Sequence, residues 1–136
     1  MRIADSGFLV ALLYTRDKYH TWALRQMDGV QSPLVTCESV LTETAHIVSQ
    51  KGIPQLRVSH MVFSGAVSIA FQIDDEIDRV DHLMNQYADR PMDLADACVV
   101  RMSELYPRAD VLTVDDDFHI YRRNGNGAIP VVMPSV

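Results

Sequence analysis

The sequence predicts an α/β fold: a mainly parallel sheet covered by helices on both faces, in one domain over residues 1–136. Short β-rich apolar runs alternate along the chain with longer stretches of helical periodicity. The run Val111-Leu112-Thr113-Val114 is of the type found in strands buried on both faces. The 136 residues are 48% apolar and 22% charged, enough for one core and too apolar for a disordered chain. No repeat, low-complexity segment or linker divides them.

The elements follow in order. Residues 2–4 form a short strand that ends at Asp5. Residues 6–13 form a helix carrying Phe8, Leu9, Leu12 and Leu13, and a second helix covers 18–27. Residues 33–36 are a brief strand, and 37–50 a helix stopped by Gly52 and Pro54. A helix over 55–63 leads to a β-rich strand over 67–71. Residues 75–87 are an amphipathic helix with Ile77, Val80, Met84 and Tyr87 on one face. Residues 93–106 form a helix with a broad apolar face, followed by the strand over 111–114. Asn124-Gly125-Asn126-Gly127 is a turn, and 130–132 a last strand.

Charge and cysteine usage narrow the function. A net charge of −6 makes the chain a poor non-specific binder of nucleic acid or anionic membrane unless a metal ion supplies local positive charge. Cys37 and Cys98 lie in apolar surroundings and make no disulfide framework, so two buried free thiols are expected. No basic stretch followed by an apolar run opens the chain, and no apolar run approaches the ~20 residues that span a bilayer. The expected location is the cytoplasm.

The carboxylates are the candidate chemistry. Asp5 follows the first strand, and Asp115 follows the strand over 111–114. Ligands of open α/β sheets bind outside the carboxyl ends of strands, so both fall at one sheet edge; each also suits a helix N-cap. On the helix over 37–50, Glu43 borders the apolar arc of Cys37, Val40, Leu41, Thr44, Ala45, Ile47 and Val48. Asp93 is a natural N-cap, and Asp96 takes the capping-box position three residues on. Asp96 is flanked by Ala95, Ala97, Cys98, Val99 and Val100, where a charge needs a partner. A helix N-terminus contributes only about 0.3–1 kcal/mol, too little for several converging carboxylates. Hard oxygen ligands of this kind suit Mg²⁺ or Mn²⁺, which reverses the repulsion. Asp117 either returns to that ion or caps the short helix carrying Phe118 and Ile120, and Asp116 faces solvent.

This constellation resembles the PIN-domain ribonucleases, most closely the VapC-like toxins of bacterial and archaeal toxin–antitoxin pairs. The resemblance rests on four pieces. Ile3-Ala4-Asp5-Ser6-Gly7-Phe8-Leu9 is similar to the family's first strand and Asp-Ser/Thr start, and Leu41-Thr42-Glu43 to its helix glutamate. Pro91-Met92-Asp93-Leu94-Ala95-Asp96-Ala97 resembles its third acidic motif, and Leu112-Thr113-Val114-Asp115-Asp116-Asp117-Phe118 its Thr-x-Asp-x-Asp-Phe segment. The order and placement of the four carry the signal, since each piece is short. The resemblance implies a three-layer α/β/α sandwich. It implies that Asp5, Glu43, Asp96 and Asp115 are the acidic quartet, with Asp5, Asp96 and Asp115 on the metal and Ser6, Asp93, Thr113 and Asp117 in support. It leaves open whether Asp115 or Asp117 contacts the ion, and whether one ion or two are held.

The implied activity is metal-dependent hydrolysis of RNA phosphodiesters to 5′-phosphate and 3′-hydroxyl ends. The implied partners are RNA, a small antitoxin that covers the site, and a second copy of the chain. Attack by a 2′-hydroxyl would need an acid–base pair, and the five histidines show no paired spacing. No zinc pattern occurs, and His119 is expected at the surface. The acids Asp74, Asp75, Glu76, Asp78 and Asp81 read as a solvated helix start. Arg122-Arg123 is the best phosphate contact among scattered cations, and Trp22 and Tyr19 serve base stacking or packing equally well. Trp22, Met27, Met61, Val62 and Phe63 are apolar candidates for core or interface.

Two other functions fit the sequence less well. A non-catalytic PIN-type binding module would not need four converging charges. A phosphotransfer domain would want an aspartate where Gly7 stands, or paired acids after the first strand with a late lysine; the last lysine is Lys51.

Overall fold

The structure is a computed structural model that describes residues 1–29 and 33–135. Among the described residues seven strands and six helices follow one another, beginning β1 (Arg2–Ala4), α1 (Ser6–Leu13), α2 (His20–Gln26), β2 (Leu34–Thr36), α3 (Glu38–Gln50) and α4 (Leu56–Phe63). They continue with β3 (Val67–Ile69), a 3-10 turn (Ile73–Glu76), α5 (Ile77–Gln86), α6 (Leu94–Leu105) and β4 (Asp110–Leu112). A second 3-10 turn (Asp116–His119), β5 (Arg122–Arg123), β6 (Gly127–Ala128) and β7 (Val131–Val132) complete the order.

Five strands form the central sheet in the order β3-β2-β1-β4-β7, and every neighbouring pair is parallel. Ile3 lies opposite both Val35 and Val111. Consecutive strand residues point to opposite faces. Ile3 and Ala4 are both fully buried, as are Val111 and Leu112, so both faces are covered. That is the layered α/β architecture the alternation implied. Parallel pairs need long crossovers, which the helices supply. α1 packs on α2 and α3, α5 packs on α6, and α6 lies against β1 and β4.

The strand order contains a reversal. From β1 the chain winds outward to β2 and β3, then returns past β1 to place β4 on its other side. A crevice therefore opens between the carboxyl ends of β1 and β4, where the direction of winding switches. The Asp5 amide donates to Leu112 O at 3.0 Å and carries the β1–β4 ladder into that crevice.

Several boundaries differ from the sequence expectation, each for a local reason. The strand expected over 67–71 ends at Ile69 on the sheet edge, where Ala70 O instead accepts from the Tyr106 hydroxyl. The helix expected over 75–87 is entered through the 3-10 turn from Ile73 and is α-helical only over Ile77–Gln86. The β5–β6 hairpin was not expected as strands. It is closed by Asn124 and Gly125 at φ of 51° and 86°, and asparagine and glycine tolerate that conformation best.

Gly7 sets how closely α1 approaches the strand exit after β4. A Cβ built there would overlap Cγ2 of Val114, next to Asp115. Gly7→Ala gains about 1 kcal/mol of helix propensity. It costs about 1–3 kcal/mol in overpacking, so a net loss of stability is expected. A lowered urea midpoint at unchanged slope would show it, and a midpoint at or above the parent's would refute the close approach.

Candidate active site

The crevice gathers acids from four elements. Asp5 stands between β1 and α1, Glu43 on α3, Asp96 in the first turn of α6, and Asp115 after β4. Asp5 and Asp96 are buried, and Glu43 and Asp115 are partly so. Each charge is felt by the others. Asp5 senses Asp115 and Glu43; Asp96 senses Asp93, Asp5 and Asp115; Glu43 senses Asp93 and Asp115. The ion pairs among the described residues join Arg79 and Arg101 to Glu104 and Arg101 to Glu76, and none reaches the crevice.

The supporting residues are hydrogen-bonded into the cluster. Thr113 Oγ1 donates to Asp5 Oδ2 at 2.7 Å and accepts the Asp115 amide at 3.0 Å. Ser6 Oγ donates to Glu43 Oε1, joining α1 to α3. Asp93 and Asp96 form the reciprocal capping box expected from their spacing: the Asp96 amide donates to Asp93 Oδ1 at 2.8 Å, and the Asp93 amide to Asp96 Oδ2 at 3.3 Å. The Asp117 amide donates to Asp115 Oδ1 at 2.9 Å, so Asp115 caps the 3-10 turn while facing the cluster. Asp116 is exposed, as expected.

Burial dominates the electrostatics. It pushes Asp5 up to about 6, against the pull of the Thr113 hydroxyl and the Ser6 amide. Asp96 is pushed up to about 8, by burial first and the Asp93 charge second. Glu43 is raised by burial and then by Asp93, and Asp115 by burial and by its neighbours Asp117 and Asp116.

This arrangement fits a hard divalent cation. Asp96 and Asp115 each use one carboxylate oxygen on protein donors, and among the described residues none donates to the other oxygen. Among the described residues no three His, Cys, Asp or Glu side chains stand close enough to hold a metal ion as placed. Mg²⁺ keeps several of its waters, so the acids need not all reach it directly.

A groove of about 590 Å³ opens beside the cluster, lined in part by Glu38, Thr42, Glu43, His46, Ile73, Asp93 and Leu94. The remaining expected residues lie elsewhere. Arg122 and Arg123 spend donors on backbone carbonyls of His119, Tyr121 and Ser103, which fixes the hairpin. Trp22 sits edge-on to Phe8 at 5.6 Å and packs against the core with Tyr19, Met27 and Met61, whereas Phe63 is exposed. His119 and the acids Asp74, Asp75, Asp78 and Asp81 are exposed, but Glu76 pairs with Arg101. Cys37 and Cys98 are free and buried, and Cys98 Sγ lies 4.0 Å from the Ser39 hydroxyl. One contact escaped the sequence reading: the buried Tyr121 hydroxyl donates to Asp96 Oδ2 at 3.2 Å.

The PIN domain family model matches residues 2–124, which hold every residue of the cluster. The chain belongs to the PIN domain family. This PIN domain superposes on the crystal structure of VapC20 from Mycobacterium tuberculosis, described as a sarcin-ricin loop cleaving toxin, with a TM-score of 0.77. The two are 18% identical, and the match covers 86% of this chain and 92% of that one. No curated protein matches the sequence. Among the described residues no helix is long and apolar enough to cross a membrane.

The raised carboxyls predict a pH dependence. An acid whose folded pKa exceeds its unfolded value binds extra protons in the folded state, so stability falls as pH rises between the two. For Asp96 that window runs from its usual 3.8 to about 8, and for Asp5 from 3.8 to about 6. The metal-free protein should therefore melt lower at pH 8 than at pH 5, with a shallower decline in Asp96→Asn. Equal slopes for the two proteins, read by thermal melts across pH, would contradict the burial-driven shift.

Proposed function

We propose that this PIN domain is an endoribonuclease dependent on Mg²⁺ or Mn²⁺, acting as the toxin of a toxin–antitoxin pair. The observation that carries this reading is the convergence of Asp5, Glu43, Asp96 and Asp115 at the β1–β4 crevice without a cationic partner among the described residues. Asp5, Asp96 and Asp115 are the proposed metal ligands. Such an ion, when bound, supplies stabilisation of charge growing on the phosphate and acidifies an attacking water.

The chain's own groups do the rest. Thr113 holds the Asp5 carboxylate by its hydroxyl, and the Asp117 amide holds Asp115. Ser6 orients Glu43 toward the cluster, where its raised affinity for a proton suits it to take one from water. Water attack leaves a 5′-phosphate and a 3′-hydroxyl. The acidic rim repels phosphate, so RNA engagement depends on the cation and on basic residues away from the cluster.

The further partners belong to this proposal too. The VapC20 description names a toxin that cleaves the sarcin-ricin loop, and the shared fold supports an RNA substrate here. A small antitoxin covering the crevice, and a homodimer, accompany the toxin reading. The exposed Phe63 and Leu56 on α4 offer apolar surface for such contacts.

Asp5→Asn and Asp96→Asn should abolish cleavage with the fold retained, since each replaces one acid of a repelling cluster by a neutral side chain of the same shape. Mapping new 5′-phosphate ends in cells expressing the parent or Asp5→Asn measures this on all RNAs at once. New ends at defined sites only with the parent support the nuclease. Identical maps from two folded proteins with no antitoxin present point to a binding module. Mn²⁺ should also raise the melting temperature, by the equivalent of about 2.7 kcal/mol at a hundredfold excess over Kd.

A further inference from the structure

We infer that Tyr121 is the positioning residue for Asp96, holding one carboxylate oxygen so that the other faces the cation; this rests on Asp96 being a metal ligand as proposed above. Tyr121 is fully buried, and its hydroxyl donates to Asp96 Oδ2 at 3.2 Å. The same oxygen accepts the Asp93 amide at 3.3 Å. Among the described residues no group donates to Oδ1. The division is geometric: two donors on one oxygen fix the torsion of the carboxylate and leave the second oxygen to a ligand.

The tyrosine is itself rigidly held. Its ring meets Phe118 edge-on at 5.3 Å and Tyr87 at 5.2 Å. Its amide donates to Asp117 O at 3.1 Å, and the Tyr87 hydroxyl accepts the next amide, Arg122, at 2.8 Å. A donor fixed from two sides loses little entropy on meeting its acceptor. Both contacts are long, so the two donors together, rather than either alone, fix the carboxylate. Groups that orient a ligand in this way typically carry about 10–100-fold in metal affinity.

Tyr121→Phe keeps the ring and both edge contacts and removes only the donor. Tyr106→Phe is the control, because it removes a hydroxyl bonded to Ala70 O and touches neither Tyr121 nor Asp96. Mn²⁺ affinity is measured by titration calorimetry on the full chain, with circular dichroism to verify the fold. The expected result is a loss of about 10–100-fold in Tyr121→Phe and parent-like binding in Tyr106→Phe. Parent-like binding by Tyr121→Phe overturns the inference and leaves the metal site standing. An equal loss in Tyr106→Phe also overturns it, since the effect would then be one of the fold as a whole. A parent that binds no Mn²⁺ overturns both the inference and the metal site.

Discussion

Repulsion among carboxylates at the β1–β4 crevice is the constraint to which the surrounding structure answers. Two like charges ~4 Å apart oppose each other by about 4 kcal/mol at an effective dielectric of 20. This chain brings four acids and the capping Asp93 into one place and buries two of them. A flexible scaffold would let them swing apart. The acids therefore stand at strand exits, on α3 and in the first turn of α6, where backbone and hydroxyl donors hold them in place.

One short stretch does most of the holding. Thr113 reaches Asp5 across the sheet, the amide of Asp117 turns back to Asp115, and Tyr121 reaches Asp96. Residues 113–121 thus touch the acids of β1, β4 and α6 within one local fold. The hairpin beyond is anchored in its turn. The Asn124 amide donates to Glu104, which also accepts from Arg79 and Arg101. Gly7 completes the arrangement from the other side, because only a residue without Cβ lets α1 close on Val114.

The features legible in the sequence were those with local causes. Doubly buried strands read as apolar runs, and Asp93 with Asp96 was recognisable as a capping box because its two hydrogen bonds span only three residues. The placement of Asp5 and Asp115 followed from their standing just after strands. Glu43 was read on the border of its helix, but its tie to Ser6 spans 37 residues and left no local trace. The β5–β6 hairpin consists of two-residue strands, too short for alternation to appear. Tyr121 was missed for a related reason. It reaches Asp96 across 25 residues, and an aromatic three positions beyond Phe118 reads simply as core.

Glu104 provides an internal comparison that bears on why the crevice acids exist. Its side chain is as inaccessible as those of Asp5 and Asp96, and burial alone would raise its pKa. Arg79, the Asn124 amide and Arg101 instead pull it down to about 2. The fold can therefore pair a buried acid with cations where an acid serves structure. At the crevice it does the opposite, and Asp96 is left at about 8. The donors there are amides and hydroxyls, enough to orient a carboxylate but not to neutralise it. An apolar residue at one of these positions would relieve the repulsion but strand the amide or hydroxyl that the carboxylate accepts. Acids oriented yet unpaired, at the one switch point of the sheet, are what a site built to receive a cation requires.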